Sequence, residues 1–181
     1  MTLIVTEHIS LQLTAPSHAP GLFDAVDNNR EHLSRFLPWV NNMQSVDDFK
    51  KYIQHCELQY RQNTDVSFVI IVNGMVAGRI GLHYIHPHNK LAAIGYWLSA
   101  AFVGRGIIIK SCKTILHYGF EELGLNRIEI KAAVKNIRSQ AVPEKLGFAK
   151  EGILRQAELV NDEYLDLVLY SLLKEEWLPG I

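Results

Sequence analysis

The sequence predicts an α/β fold, α+β in its arrangement: one mixed, mostly antiparallel sheet flanked by helices. Three observations predict it. Short β-rich apolar runs recur along the chain, two of them joined by Asn73-Gly74, a dipeptide suited to the positive-φ positions of a tight hairpin turn. Other stretches carry apolar residues at helical spacing, as Phe49, Tyr52, Ile53, Cys56 and Tyr60 do. Finally, an apolar run from Ile94 to Leu98 leads through Gly104-Arg105-Gly106 into an amphipathic stretch from Ile107 to Leu123, a strand–turn–helix unit.

The elements follow in order. Ile9 to Leu13 alternates like a strand, and Ala19 to Asn29 and Arg30 to Leu37 are helical, closed by Pro38. Ser45, with Asp48 three residues on, is a capping signal for the helix that carries Phe49 to Tyr60. Val66 to Val72 and Met75 to Ile85 form the hairpin, and Leu91 to Leu98 is a further strand. The helix opened by Gly106 carries a stripe of Ile108, Cys112, Ile115, Leu116 and Leu123 and is closed by Gly124. Arg127 to Val134 is a strand, and Gln140 to Leu146 a short helix with Gly147 just past its end. Pro143 lies inside that helix and cannot donate to the preceding turn, so the helix starts only a few residues earlier. Two last strands, Lys150 to Leu159 and Tyr164 to Leu172, flank Asn161-Asp162.

Bulk properties narrow the function. The 181 residues, 48% hydrophobic and 20% charged, suit one domain over 1–181 with a sizeable core. A net charge of −1 argues against a nucleic-acid partner, although Arg105, Lys110 and Lys113 form a local basic group. His83, His86 and His88 alternate in a turn-like region without a partner at ligand spacing, which reads as solvated loop histidines and no metal site. Cys56 and Cys112, lone among apolar residues, read as reduced, partly buried thiols. With no signal peptide or membrane-length apolar run, the expectation is a soluble, cytoplasmic protein that does not engage a membrane.

The glycine-rich turn is the most informative feature. A strand that feeds such a turn and then a helix leaves backbone N–H groups unpaired and aimed one way, at the positive end of the helix dipole, where a phosphate is favoured. Gly104 and Gly106 lack a Cβ, so a ligand can approach the backbone closely. Alone this is a weak signal, since most Gly-x-Gly turns are only turns.

Its neighbours give it force. Ala93-Ile94-Gly95-Tyr96-Trp97, Gly104-Arg105-Gly106-Ile107-Ile108, Leu125-Asn126-Arg127-Ile128, Asn136-Ile137-Arg138-Ser139 and Glu144-Lys145-Leu146-Gly147-Phe148 occur in that order, followed by Glu151-Gly152 and an apolar C-terminal strand with Trp177. The series resembles the GNAT superfamily of acetyl-CoA-dependent N-acetyltransferases, within it the RimL type of ribosomal-protein N-terminal acetyltransferases, over nearly the whole chain. Two departures matter. Val103 and Ile108 stand at the first and last positions of the superfamily's phosphate loop, a mild loss because the loop works through backbone N–H groups. Pro143 stands where many members carry a tyrosine acid, which excludes that acid here.

The resemblance implies a fold in which two adjacent strands, Ile94 to Leu98 and Ile128 to Val134, splay apart so that the pantetheine arm of acetyl-CoA adds between them like a missing strand. It implies cofactor contacts from the backbone of Tyr96, Trp97 and Leu98, with Val103, Gly104, Arg105, Gly106, Ile107 and Ile108 around the pyrophosphate and Asn136 at the pantetheine. The side chains of Tyr96 and Trp97 read equally as a core aromatic pair, and Asn136 as a turn residue. By the same resemblance Ser139 and Glu158 are the catalytic pair. Ser139 is the general acid toward the departing thiolate, with the role of a helix N-cap as its plain alternative. Glu158 is the general base, with that of a solvated strand-end carboxylate as the alternative. The implied activity is acetyl transfer from acetyl-CoA, without a metal, to the N-terminal α-amino group of a ribosomal or other protein, or otherwise to a small amine such as a polyamine or an antibiotic. A non-catalytic acyl-CoA-binding module is the reading from another class. The resemblance also implies a homodimer or larger homo-oligomer, with the C-terminal strands and the Trp177 end as contact surface.

Overall fold

The computed structural model describes residues 1–177. Asn73 and Gly74 take φ of +48° and +79°, so the hairpin turns as their chemistry dictates, joining β3 (Val66–Val72) to β4 (Met75–His86). Around that hairpin lie β1 (Thr2–Thr6), β2 (Ile9–Leu13), β5 (Leu91–Leu98), β6 (Arg127–Ala133), β7 (Ala149–Val160) and β8 (Glu163–Leu173). They form one eight-stranded sheet in the order β1-β2-β3-β4-β5-β6-β8-β7. Every neighbouring pair is antiparallel except β5 and β6, whose parallel pairing needs the long crossover through a helix. This is the mostly antiparallel mixed sheet the sequence predicts.

Among the described residues, five α-helices cover it: α1 (Ala19–Asp27), α2 (Arg30–Ser34), α3 (Val46–Arg61), α4 (Ile107–His117) and α5 (Ile137–Lys145). Alternation along the strands divides the core into two faces. Ile80, Leu82, Ile94 and Ile130 turn to one face and pack with Ile115 and Leu116 of α4. Val69 and Trp97 turn to the other and pack with Leu22 of α1 and Phe49 and Ile53 of α3. Ser45 caps α3 as its spacing predicts, accepting from the Asp48 N–H at 3.2 Å.

Three boundaries differ from expectation for physical reasons. β1 is an edge strand paired only with β2, and its Leu3-Ile4-Val5 run shows no polar alternation in the sequence although Leu3 and Val5 pack on the core and Ile4 is exposed. The amphipathic stretch after Gly106 is regular only to His117, then opens into a π-helical turn over Tyr118–Glu122, where Ile128 and Leu82 press against Gly119. α5 begins at Ile137 rather than Gln140, because Asn136 is its N-cap and accepts from the Ser139 N–H at 3.2 Å. Ser139 is therefore not the cap. Trp177, expected on a contact surface, packs its ring 6.1 Å from that of Phe120 against the chain's own core.

Candidate active site

The site begins where β5 and β6 part. Their ladder runs from Leu91↔Arg127 to Ile94↔Ile130 and goes no further. Beyond it each strand stays in the sheet on its outer side only: Gly95 to Leu98 remain paired with β4, and Lys131 to Ala133 with β8. A wedge-shaped gap opens between them.

Its edges carry unpaired backbone. In an antiparallel pair, hydrogen-bonded and non-bonded positions alternate. The Ser99 N–H donates to Ala77 O at 2.8 Å, so Trp97, two residues back, shares that orientation and spends its backbone on Arg79. Tyr96 and Leu98 turn theirs toward the gap. On the far edge the Val134 N–H donates to Asp166 O at 2.9 Å, which by the same alternation turns the backbone of Lys131 toward the gap; the Ala133 carbonyl on that side is already spent on the Asn136 N–H. Of the three residues expected to offer backbone, Tyr96 and Leu98 do so, and Trp97 does not. The Trp97 side chain is buried beside Trp39, ring centroids 5.9 Å apart, as in the core reading.

The glycine-rich turn lies at the open end of the gap. Gly104 and Gly106 take φ of +81° and +71°, the left-handed region, and Gly106 is the N-cap of α4. A Cβ at either glycine would meet open space, so the concave side of the turn is clear for a ligand. Among the described residues, the backbone N–H groups from Gly104 to Ile109 donate to no other backbone group. Val103 is different, since its N–H is spent on Ala100 O. The side chains of Val103, Ile107 and Ile108 pack inward, while Arg105 is exposed with its guanidinium 5.7 Å over the Phe102 ring. Converging donors, a helix dipole and an adjacent basic side chain fit a pyrophosphate. The unpaired edges of the gap fit an amide-bearing arm.

Ser139 and Glu158 lie on opposite faces of the sheet. Ser139, half-buried at the third position of α5, is on the α4 side, where the Tyr96 hydroxyl meets both its carbonyl oxygen at 2.9 Å and its Oγ at 3.1 Å. Glu158 pairs across β7 and β8 with Leu165, so both side chains share a face. Leu165 and Leu167 pack there with Val160, Ala133 and Phe36, on the side of α1 and α2. Burial raises the Glu158 carboxyl above its ordinary value of 4.5, a shift that suits a base for work near neutral pH. A bulge aims it: three residues, 155–157, stand against Asp166 alone, with Gln156 at φ +50° and its N–H held by Asp166 Oδ1 at 2.8 Å. The pair does not touch: Ser139 stands beside the gap through its contact with Tyr96, and Glu158 lies on β7, two strands out from β6 on the opposite face of the sheet.

Two groups escaped the sequence reading. The Tyr96 hydroxyl, treated there only as a core aromatic, reaches Ser139 across the gap; the one available signal was Pro143, which deprives the Ser139 carbonyl of its helical donor. His83 is a strand residue and not a solvated loop histidine: its Nδ1 lies 2.6 Å from the buried Asp65 carboxylate, and its ring lies so close to Gly95 that a Cβ there would come within 2.9 Å of it. Asp65 is distant in sequence, so no local pattern announces the pair. Cys56 and Cys112 are free and buried, as expected. Among the described residues no cluster of His, Cys, Asp or Glu could hold a metal ion, and no helix is long and apolar enough to cross a membrane.

A parted strand pair beside a donor-lined helix N-terminus defines a class of protein that takes a phosphate-bearing, extended ligand edge-on. Residues 8–149 match the acetyltransferase (GNAT) domain, and the chain belongs to that family. It is an acetyl-CoA-dependent N-acetyltransferase. It is 40% identical to YdaF of Bacillus subtilis (strain 168), a putative ribosomal N-acetyltransferase, over 97% of each chain. It is 34% identical to the ribosomal-protein-serine acetyltransferase of Escherichia coli (strain K12), over 94% of this chain and 95% of that one. The solved structure of RimL, a ribosomal L7/L12 α-N-protein acetyltransferase in complex with coenzyme A, superposes with a TM-score of 0.93, covering 98% of this chain and 100% of that one at 29% identity.

Proposed function

We propose that this enzyme acetylates the N-terminal α-amino group of a protein, a ribosomal protein above all, in the cytoplasm, and that Ser139 and Glu158 handle its protons. The names borne by its relatives support the acceptor; Ser139 beside the gap and a half-buried Glu158 on the opposite face of the sheet support the proton chemistry. Bound acetyl-CoA supplies the thioester. The backbone of Tyr96 and Leu98 lies along it, with Asn136 beside it at the start of α5, and the N–H groups from Gly104 to Ile109 hold its phosphates. The acceptor comes from the α1–α2 side. A peptide α-amino group has a pKa of about 7.7–8.0, so a fair fraction is neutral at working pH without assistance. As its nitrogen bonds to the thioester carbonyl carbon, Glu158 takes the proton the nitrogen sheds, directly or through one water. As the C–S bond opens, the sulfur leaves as a thiolate that accepts a hydrogen bond from the Ser139 hydroxyl on the opposite face and takes its proton from solvent.

The chain assembles as a homodimer or larger, with β7, one of the sheet's two edge strands, exposing Ile153, Leu154 and Leu159 as contact surface. Light scattering checks this, and a monomer at micromolar concentration would refute it. The acceptor is tested by acetyl-CoA turnover against N-terminal peptides, intact ribosomal proteins and polyamines. Fastest turnover on protein α-amino groups supports the reading; a higher kcat/KM for a polyamine overturns it.

A further inference from the structure

We propose that Tyr96 is the positioning residue for Ser139: its hydroxyl, reaching from β5 across the gap to α5, orients the Ser139 hydroxyl and strengthens it as a donor. The proposal rests on the reading of Ser139 as the acid.

Pro143 has no N–H, so the Ser139 carbonyl four residues earlier has no helical donor. Tyr96 Oη fills that place at 2.9 Å and lies 3.1 Å from Ser139 Oγ. One phenolic proton thus has two acceptors on the same residue. Donated to the carbonyl, it leaves the phenol oxygen to accept the Ser139 O–H, and the serine is parked. Donated to Oγ, it releases the Ser139 proton to point into the gap and polarises it, because linked hydrogen bonds strengthen one another. Negative charge building on a departing sulfur favours the second arrangement. Both hydroxyls then turn together, Ser139 toward the sulfur and Tyr96 toward Ser139 Oγ. No proton leaves Tyr96. Burial pushes its hydroxyl well above the ordinary tyrosine value, so it stays a donor at any pH the enzyme meets.

Pro143 does more, on this account, than displace a tyrosine. It creates the acceptor that draws Tyr96 to the serine, and the interaction ties together the two arms that bound the gap: β5 on one side, β6 and the helix after it on the other.

The test uses Tyr96→Phe, Pro143→Ala and their combination, each also made with Ser139→Ala. Tyr96→Phe is expected to lower kcat about ten- to a hundredfold, what a hydrogen bond to a charge-bearing group is worth, with the KM for acetyl-CoA nearly unchanged. It should also lower the melting temperature, because the Ser139 carbonyl loses its donor. Pro143→Ala restores an N–H to that carbonyl, so the combined variant should recover the melting temperature and not the kcat. In the Ser139→Ala background Tyr96→Phe should cost little further rate. Recovery of kcat together with stability would make Tyr96 merely structural and overturn the proposal. An unchanged kcat in Tyr96→Phe would overturn it too, as would an equal loss with and without the Ser139 hydroxyl. Full activity of Ser139→Ala alone would refute the acid itself and take this proposal with it, whereas an impaired Ser139→Ala beside a fully active Tyr96→Phe refutes only the positioning role.

Discussion

Asn136 Oδ1 accepts a hydrogen bond from the backbone N–H of Ser139 at 3.2 Å, so the residue expected to contact the cofactor also fixes the start of the helix that carries Ser139. The Asn136 N–H is itself held by Ala133 O at 2.8 Å, at the end of β6. The place where the strand stops therefore decides where Ser139 stands. Replacing Asn136 with Ala removes the cap and should cost about 1 kcal/mol of stability. It should also lower kcat more than the KM for the acceptor, because the first turn of α5 loosens. Denaturant unfolding and steady-state kinetics on the one variant check both.

The turn proposed to hold the phosphates is open space bounded by backbone, so a side chain placed in it should act directly. Gly106→Glu puts a carboxylate where a phosphate is expected and a Cβ on a residue at φ +71°. Acetyl-CoA binding measured by calorimetry should weaken by orders of magnitude while the fold persists. Unchanged affinity would mean the phosphates lie elsewhere.

β4 and β5 approach each other more closely at Gly78 than any side chain permits. A Cβ there would collide with the Trp97 carbonyl oxygen and crowd Leu98 Cα, pushing back the strand that forms one edge of the gap. Gly78→Ala should cost about 3 kcal/mol, the upper end for overpacking. Whatever folds should bind acetyl-CoA less tightly, since Tyr96 and Leu98 move with the strand. Thermal unfolding and calorimetry read the two effects.

Much of this framework is legible in the sequence because it is local chemistry. Asn73-Gly74 between two β-rich runs marks a hairpin, and Gly104 and Gly106 between a strand and an amphipathic helix mark a turn with free N–H groups. What stays hidden depends on partners distant in the chain. Both Asn136 and Ser139 are good caps, and only the end of β6 decides between them. Tyr96 meets Ser139, and His83 meets Asp65, through the order of strands and not through any spacing. The β7 bulge at 155–157 has no glycine to mark it, because Gln156 takes a positive φ only while Asp166 holds its N–H.

Acid sensitivity should come in part from Glu151. Its carboxylate is gripped by Arg127 at 2.7 Å on both oxygens and accepts from Ser171 Oγ at 2.6 Å, which holds its pKa down to about 2. A carboxyl depressed in the fold stabilises it above the unfolded value of 4.5, and the contribution is lost as pH falls through about 2. The pair is partly exposed, so solvent limits the effect to about 1 kcal/mol. Unfolding midpoints followed from pH 5 down to pH 2 should fall more gently in Glu151→Gln than in the native chain.

The proposed division of labour, Glu158 accepting the amine's proton on one face of the sheet and Ser139 serving the sulfur on the other, shows in the pH dependence of kcat in Ser139→Ala and Glu158→Gln. Each should lose roughly 10²–10⁴-fold at neutral pH, the range for a positioned acid or base, with acetyl-CoA affinity intact in both. The Glu158→Gln loss should shrink as pH rises and the amine arrives already neutral, whereas the Ser139→Ala loss should not. Near-normal turnover of Glu158→Gln at neutral pH with a protein N-terminus would contradict the account, leaving Glu158 a strand-end carboxylate and water the acceptor of the proton.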